Sequence, residues 1–142
     1  MTTEDRAALR TQLERHEGRR LKVYRCSAGY LTIGIGRNLE SRGITDAEAD
    51  YLLDNDIDLC VRGLVKAYAW FADLDAVRQR ALVDLAFNLG FAGLAKFGNF
   101  LAAMARTDYE DAADHLTRSL WYRQVASRGP RIVHMIRTGQ AV

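Results

Sequence analysis

The chain has 142 residues, 49% of them apolar and 27% charged, with a single proline. That is the size of one domain with enough apolar matter for a core, so disorder is not expected and neither metal nor disulfides are needed as staples. Twenty basic and eighteen acidic residues leave a formal charge of +2 spread along the chain, which does not describe a dedicated nucleic-acid binder but tolerates an anionic polymer as substrate.

Residues 3–17 read as a helix, with Thr3 as cap, Glu4 and Asp5 at its positive end and Gly18 as the stop. Leu9, Leu13 and Glu17 recur at intervals of four and share one face. An apolar stripe therefore leads to a carboxylate on the side expected to face protein. Five of the eleven glycines fall between 18 and 43, where alternation predicts strands over 21–25 and 30–36, joined around Ser27-Ala28-Gly29. In the second strand Leu31, Ile33 and Ile35 share one face and Thr32, Gly34 and Gly36 the other. The latter carries little bulk and suits close approach of a ligand or another part of the chain.

From Thr45 the pattern is helical. Thr45 and Glu48 form a capping box, and the run after it places Ala49, Leu52, Leu53, Ile57, Cys60, Val61, Leu64 and Val65 on one stripe. At about 20 residues this helix would be near 30 Å long, enough to bridge two lobes. Trp70-Phe71 ends it and is expected to pack between helices. Asp73 is the expected cap of a second helix through Leu89, with Gly90 as its stop. A third runs from about 94 to 105, where Phe97, Phe100, Leu101 and Met104 have core spacing. Asp108 opens a fourth to about 118. Gly129-Pro130 introduces the last helix, which ends at Thr138-Gly139. Its Arg128, Arg131 and Arg137 beside Ile132, Val133 and Ile136 read as a core stripe with a solvated basic face. The class is α+β, predominantly helical: one domain over 1–142, with a small β-containing lobe at about 12–45. A larger helical lobe comprises about 46–142 together with the N-terminal helix.

No apolar run reaches the roughly 20 residues that span a bilayer, so stable membrane insertion is not expected. The N-terminal Met-Thr-Thr-Glu-Asp-Arg lacks the order of a secretory signal, so the chain is expected to stay where it is made. Cys26 and Cys60 are too few for a disulfide framework and read as free thiols. His16, His115 and His134 stand alone, and Gly34-x-Gly36 is too short for a dinucleotide fingerprint. Neither a metal nor a cofactor is expected.

The stretch from Glu17 to Gly36 places a helix-terminal carboxylate, a thiol before a turn and a strand hydroxyl close together. If the strands form a hairpin, Glu17, Cys26 and Thr32 converge on one cleft. Glycosidic cleavage needs such a set: an acid to protonate the leaving oxygen and a group to place or activate water. On spacing alone the plainer readings stand beside this one: a solvated glutamate, a small buried thiol and an ordinary strand threonine.

Glu17-Gly18, Tyr24, Gly29-Tyr30 and Thr32-Ile-Gly-Ile-Gly36 resemble the opening of the phage-type lysozymes, the muramidase endolysins related to the T-even phage enzyme. That family's pattern is Glu, eight residues, Asp or Cys, five residues, Thr, and Glu17, Cys26 and Thr32 fit it without a gap. The stretch from Asp73 to Leu82, Phe87-Asn-Leu-Gly90, Trp121-Tyr122, Arg128 and Arg137-Thr-Gly139 have counterparts in the same order. The resemblance covers roughly residues 9–139. It implies a lysozyme-like two-lobed fold, the lobes joined by a long helix, and hydrolysis of the β-1,4 bond between N-acetylmuramic acid and N-acetylglucosamine in peptidoglycan.

By the same resemblance Glu17 is the general acid, Thr32 helps to hold the water and Cys26 replaces the second carboxylate. Arg128 would steady the charge near the acid. Trp121 and Phe87 would line or support the cleft, with Asn38 and Asn88 near the sugars. A thiol is mostly neutral at pH 7 unless its surroundings favour ionisation, for which Arg25, Lys22 and Arg128 are the expected sources. Cys26 as thiolate would activate water with inversion; a covalent thioglycosyl intermediate with retention is the rival. Arg37 stands where T-even members have histidine, and His115 and Phe100 fall at expected cleft positions. The competing functions are a lytic transglycosylase and a non-catalytic peptidoglycan-binding protein. As an endolysin the chain would be a monomer in the host cytoplasm, acting on glycan strands in the periplasm after a holin opens the membrane.

Overall fold

In the computed structural model, which describes residues 1–142, helix α1 (Thr3–Glu17) is started by the residue before it. Thr2, not Thr3, is the cap. Its hydroxyl accepts from the Asp5 N–H at 3.1 Å while the Asp5 carboxylate accepts from the Thr2 N–H at 3.2 Å. That reciprocal pair satisfies donors that a helix start leaves open. Gly18 closes the helix, returning its N–H to Glu14 O at 2.9 Å.

Three antiparallel strands follow in the order β1-β2-β3: β1 Arg20–Arg25, β2 Leu31–Gly34 and β3 Arg37–Asn38. The single strand expected over 30–36 is thus two. Gly34 has φ 69° and turns the chain, so Arg37–Asn38 folds back on β2. Tyr24, Thr32 and Asn38 lie in one row across the sheet. After β3, Asn38 Oδ1 accepts from the Glu40 and Ser41 N–H groups, both at 3.0 Å. Arg37 binds Glu48 through both guanidinium nitrogens and also donates to Gly43 O at 3.2 Å. Glu48 in turn completes the expected capping box with Thr45. One arginine therefore ties the short connection to the start of the next helix.

By internal packing the chain divides into Met1–Tyr51 and Leu52–Val142. Helix α2 (Asp46–Ala67) runs from the first unit into the second. Of its expected stripe only Cys60 and Leu64 are buried, while Leu52, Leu53, Ile57 and Val65 are exposed. The reason is that the core of the second unit is built around the later turns of this helix. Trp70 and Phe71 do not end α2 but sit in a separate 3-10 helix, Ala69–Asp73. Phe71 is buried, and Trp70 leans against Tyr68 at 5.3 Å between ring centroids.

Asp73 lies inside that 3-10 turn, so the cap of α3 (Ala76–Ala95) is Asp75, whose carboxylate accepts from the Val77 and Arg78 N–H groups. This range is two helical runs separated by a break at the expected stop, Gly90. Its φ of 71° and ψ of 165° are non-helical, a conformation open to glycine without strain. The remaining helices are α4 (Gly98–Ala105), α5 (Tyr109–Thr117, capped by Asp108 as expected), α6 (Leu120–Gln124) and α7 (Arg128–Thr138). The five-residue α6 was not anticipated, being shorter than a recognisable period. Helix α7 packs against α5, α3 and α6. Leu64, Leu82, Leu85, Leu94, Met104, Leu116 and Ile136 are fully buried, each stabilising the unit by about 1.5–3 kcal/mol through apolar burial. Phe100 belongs to this core, at 1% exposure, and not to a cleft. The class is α+β and mostly helical, and no single helix is long and apolar enough to cross a membrane.

Two of the sequence motifs prove to be partners in space. Arg78 donates to Ile136 O at 2.7 Å and Arg137 O at 3.1 Å, the open carbonyls at the end of α7. It also pairs with Asp75 at 2.7 Å and lies 3.7 Å from the centre of the Tyr109 ring. Gly139 fits beside its guanidinium, where a Cβ would stand 2.7 Å from Nη1. Arg78→Ala is expected to cost about 3 kcal/mol, mostly from the two charged hydrogen bonds and the carbonyls left behind. The check is a urea melt, in which the midpoint should fall with an unchanged slope.

Candidate active site

Glu17 is the last residue of α1. The stripe leading to it is not covered, since α1 has no buried residue and Leu13 is 45% exposed. Glu17 is accordingly exposed rather than facing protein. Its carboxyl is nonetheless placed: a Cβ built on Gly36 would stand 2.6 Å from Glu17 Oε2 and 2.7 Å from its Cδ. The bare position in the turn between β2 and β3 thus receives a side chain of the chain itself. Arg19, the nearest following cation, is held by Glu14 at 2.6 Å. Arg10, Leu13, Glu14, Glu17 and Ile35 line a cleft of about 300 Å³.

Cys26 opens the turn between β1 and β2. The turn is closed by the Cys26 N–H donating to Tyr30 O at 2.9 Å and the Gly29 N–H to Cys26 O at 2.8 Å. This folds the backbone around the sulfur, and the Cys26 thiol is held below the ordinary thiol range. The Tyr30 amide is the largest cause and the Ala28 amide the next, with smaller help from the Thr32 hydroxyl and the Gly29 amide against a desolvation cost. The expected cations are not the source. Arg25 instead donates to Gly29 O at 2.8 Å and braces the turn. Thr32 is 3% exposed, the one buried polar side chain, and donates to Tyr30 O at 2.9 Å. The residues 26–32 therefore form one hydrogen-bonded unit joining thiol and hydroxyl.

Asn38 lies beside Thr32 across the sheet, with its carbonyl oxygen committed to the turn amides. Together with Tyr30, Glu40 and Ser41 it lines a second depression. In the second unit Asn88 Oδ1 accepts from the indole N–H of buried Trp121 at 2.8 Å. That bond satisfies the polar end of a large apolar side chain. Phe87 is exposed and lines an apolar groove of about 510 Å³ together with Arg128. Arg128 faces Asp84 at 3.2 Å as an ion pair, without hydrogen-bond alignment to Asp84 Oδ1. Asp84 and Gly36 were not singled out from sequence as site residues for these contacts; Gly36 was flagged only as lacking bulk. His115 is half-buried and lies 3.4 Å from Asp111.

A family model described as phage lysozyme matches residues 14–133. The chain is 33% identical over 157 residues to the pre-baseplate central spike protein Gp5 of Enterobacteria phage T4, covering 89% of this chain and 27% of that protein. It is 24% identical over 162 residues to probable T4-type lysozyme 1 of Dictyostelium discoideum, covering 94% of this chain and 95% of that protein. It thus spans about a quarter of the spike protein and nearly the whole of the Dictyostelium one. Because the family match extends over residues 14–133 and so takes in the end of α1, the hairpin and the later helices that carry these side chains, the chain belongs to the phage lysozyme family, glycoside hydrolases whose chemistry is muramidase-type hydrolysis of peptidoglycan.

Proposed function

We propose that this chain is a hydrolytic muramidase that cuts the β-1,4 bond between N-acetylmuramic acid and N-acetylglucosamine, with Glu17 as general acid and Cys26 and Thr32 placing the water. The observation that carries the reading is the Glu17 carboxyl seated on Gly36, just past the strand that bears Thr32 and is joined to Cys26. In the reaction Glu17 gives its proton to the glycosidic oxygen as the C1–O bond breaks. The water oxygen bonds to C1, and its proton passes to the Cys26 thiolate. Exchange with solvent then restores both groups. Asn38, Asn88, Phe87, Trp121 and Arg128 bind or support the glycan in this reading. Mass spectrometry of muropeptides released from purified sacculi tests it. Products carrying one added water are expected; anhydro products, lighter by one water, would make the chain a lytic transglycosylase.

In its biological setting the chain acts as an endolysin, a monomer released to the periplasmic wall by a holin. The 33% identity to a phage spike protein favours a second setting, in which the same chemistry opens the wall as part of a particle. Proteomics of purified particles separates the two, since only the second setting leaves the chain in them.

A further inference from the structure

We propose that Gly36 is a positioning residue for this reaction: its missing side chain is the seat that aims the Glu17 carboxyl. The inference rests on the reading of Glu17 as general acid. A Cβ on Gly36 would stand 2.6 Å from Glu17 Oε2, 2.7 Å from Cδ and 2.9 Å from Cγ. The whole carboxyl end of the side chain lies against the glycine, not one oxygen alone. Distances below 3.0 Å are not found for real Cβ atoms, so something must shift. The atoms in the way are the far end of a flexible side chain, which moves more readily than backbone. An added methyl therefore displaces the acid itself and leaves the turn in place. A polar clamp does not supply the same aim, because the neighbouring Arg19 is engaged by Glu14.

The fold also contains a matched control. Gly34 has φ 69° and Gly36 φ 66°, so alanine meets a left-handed φ at either position. At Gly34, however, nothing lies within 4 Å of an added Cβ. The difference between the two alanine variants isolates the seat from the strain. A reacting group moved by about 1 Å loses on the order of 100-fold in rate.

The experiment measures kcat and KM on solubilised glycan strands for Gly34→Ala, Gly36→Ala, Glu17→Gln and the Glu17→Gln/Gly36→Ala double variant, with a thermal melt of each. The expected result is a kcat lower by about 10- to 100-fold for Gly36→Ala with KM unchanged, and kcat near that of the parent for Gly34→Ala. In the Glu17→Gln background the second change should cost nothing further, because the group it acts through is already disabled. Equal kcat for the two alanine variants overturns the proposal. So does a Gly36→Ala loss that multiplies in full with that of Glu17→Gln. If Glu17→Gln itself retains activity, the assignment of the acid falls first and the seat with it.

Discussion

Glu17→Gln is expected to lower kcat on purified sacculi by about 10²- to 10⁴-fold, the range over which a positioned general acid contributes. The amide keeps the size of the side chain and its fit over Gly36 but has no proton to give to the leaving oxygen. Glu17 is exposed and outside the apolar core, so stability should change by no more than about 0.5 kcal/mol. Wall binding should persist, which turbidity and sedimentation assays on the same sacculi measure together. Retained lysis by the Gln variant would remove the acid from the mechanism. Loss of sedimentation with the walls would instead point to a binding defect.

Cys26→Ser should lose most activity and Cys26→Asp should retain it. A carboxylate at 26 can accept from the same Tyr30 and Ala28 amides that favour the thiolate, whereas a serine hydroxyl stays neutral. The sign of the pH dependence follows from the direction of the shift. The thiolate is present above the thiol's own value and is lost as pH falls through it. Since that value lies below the ordinary thiol range, the activity limb should lie lower than for an unperturbed cysteine. Iodoacetamide gives a direct check: Cys26 should be alkylated at neutral pH, while Cys60, raised by burial first and Asp56 second, should react only on unfolding. The anomer of the first product, followed by NMR, separates the two chemistries. Inversion is expected for thiolate-activated water. An initially retained anomer would identify a thioglycosyl intermediate.

The short-range features are legible in the sequence. The Thr45–Glu48 box, Asp108 as a cap and the ends of α1 and α7 follow from side chains that bond to backbone within a few residues. Errors were local where two caps compete within a few residues, as at Thr2 against Thr3 and Asp75 against Asp73. The break at Gly34 is not legible in the sequence, because alternation continues to Gly36 while the backbone turns. Phe100 was read both as a helix-core residue and as a cleft position, and its burial among Leu101, Ala103 and Met104 supports only the first.

By itself the amino-acid order determined the mostly helical α+β class and the Glu17–Cys26–Thr32 spacing, because caps, periodicity and hairpin turns act between near neighbours. Only the tertiary structure decided which groups those elements serve. The Gly36 seat, the backbone amides around Cys26, Arg78 at the end of α7 and Asn88 beneath Trp121 each need a specific partner brought to a few ångströms. Packing and hydrogen-bond geometry choose that partner, and a repeating pattern of apolar and polar residues does not encode it.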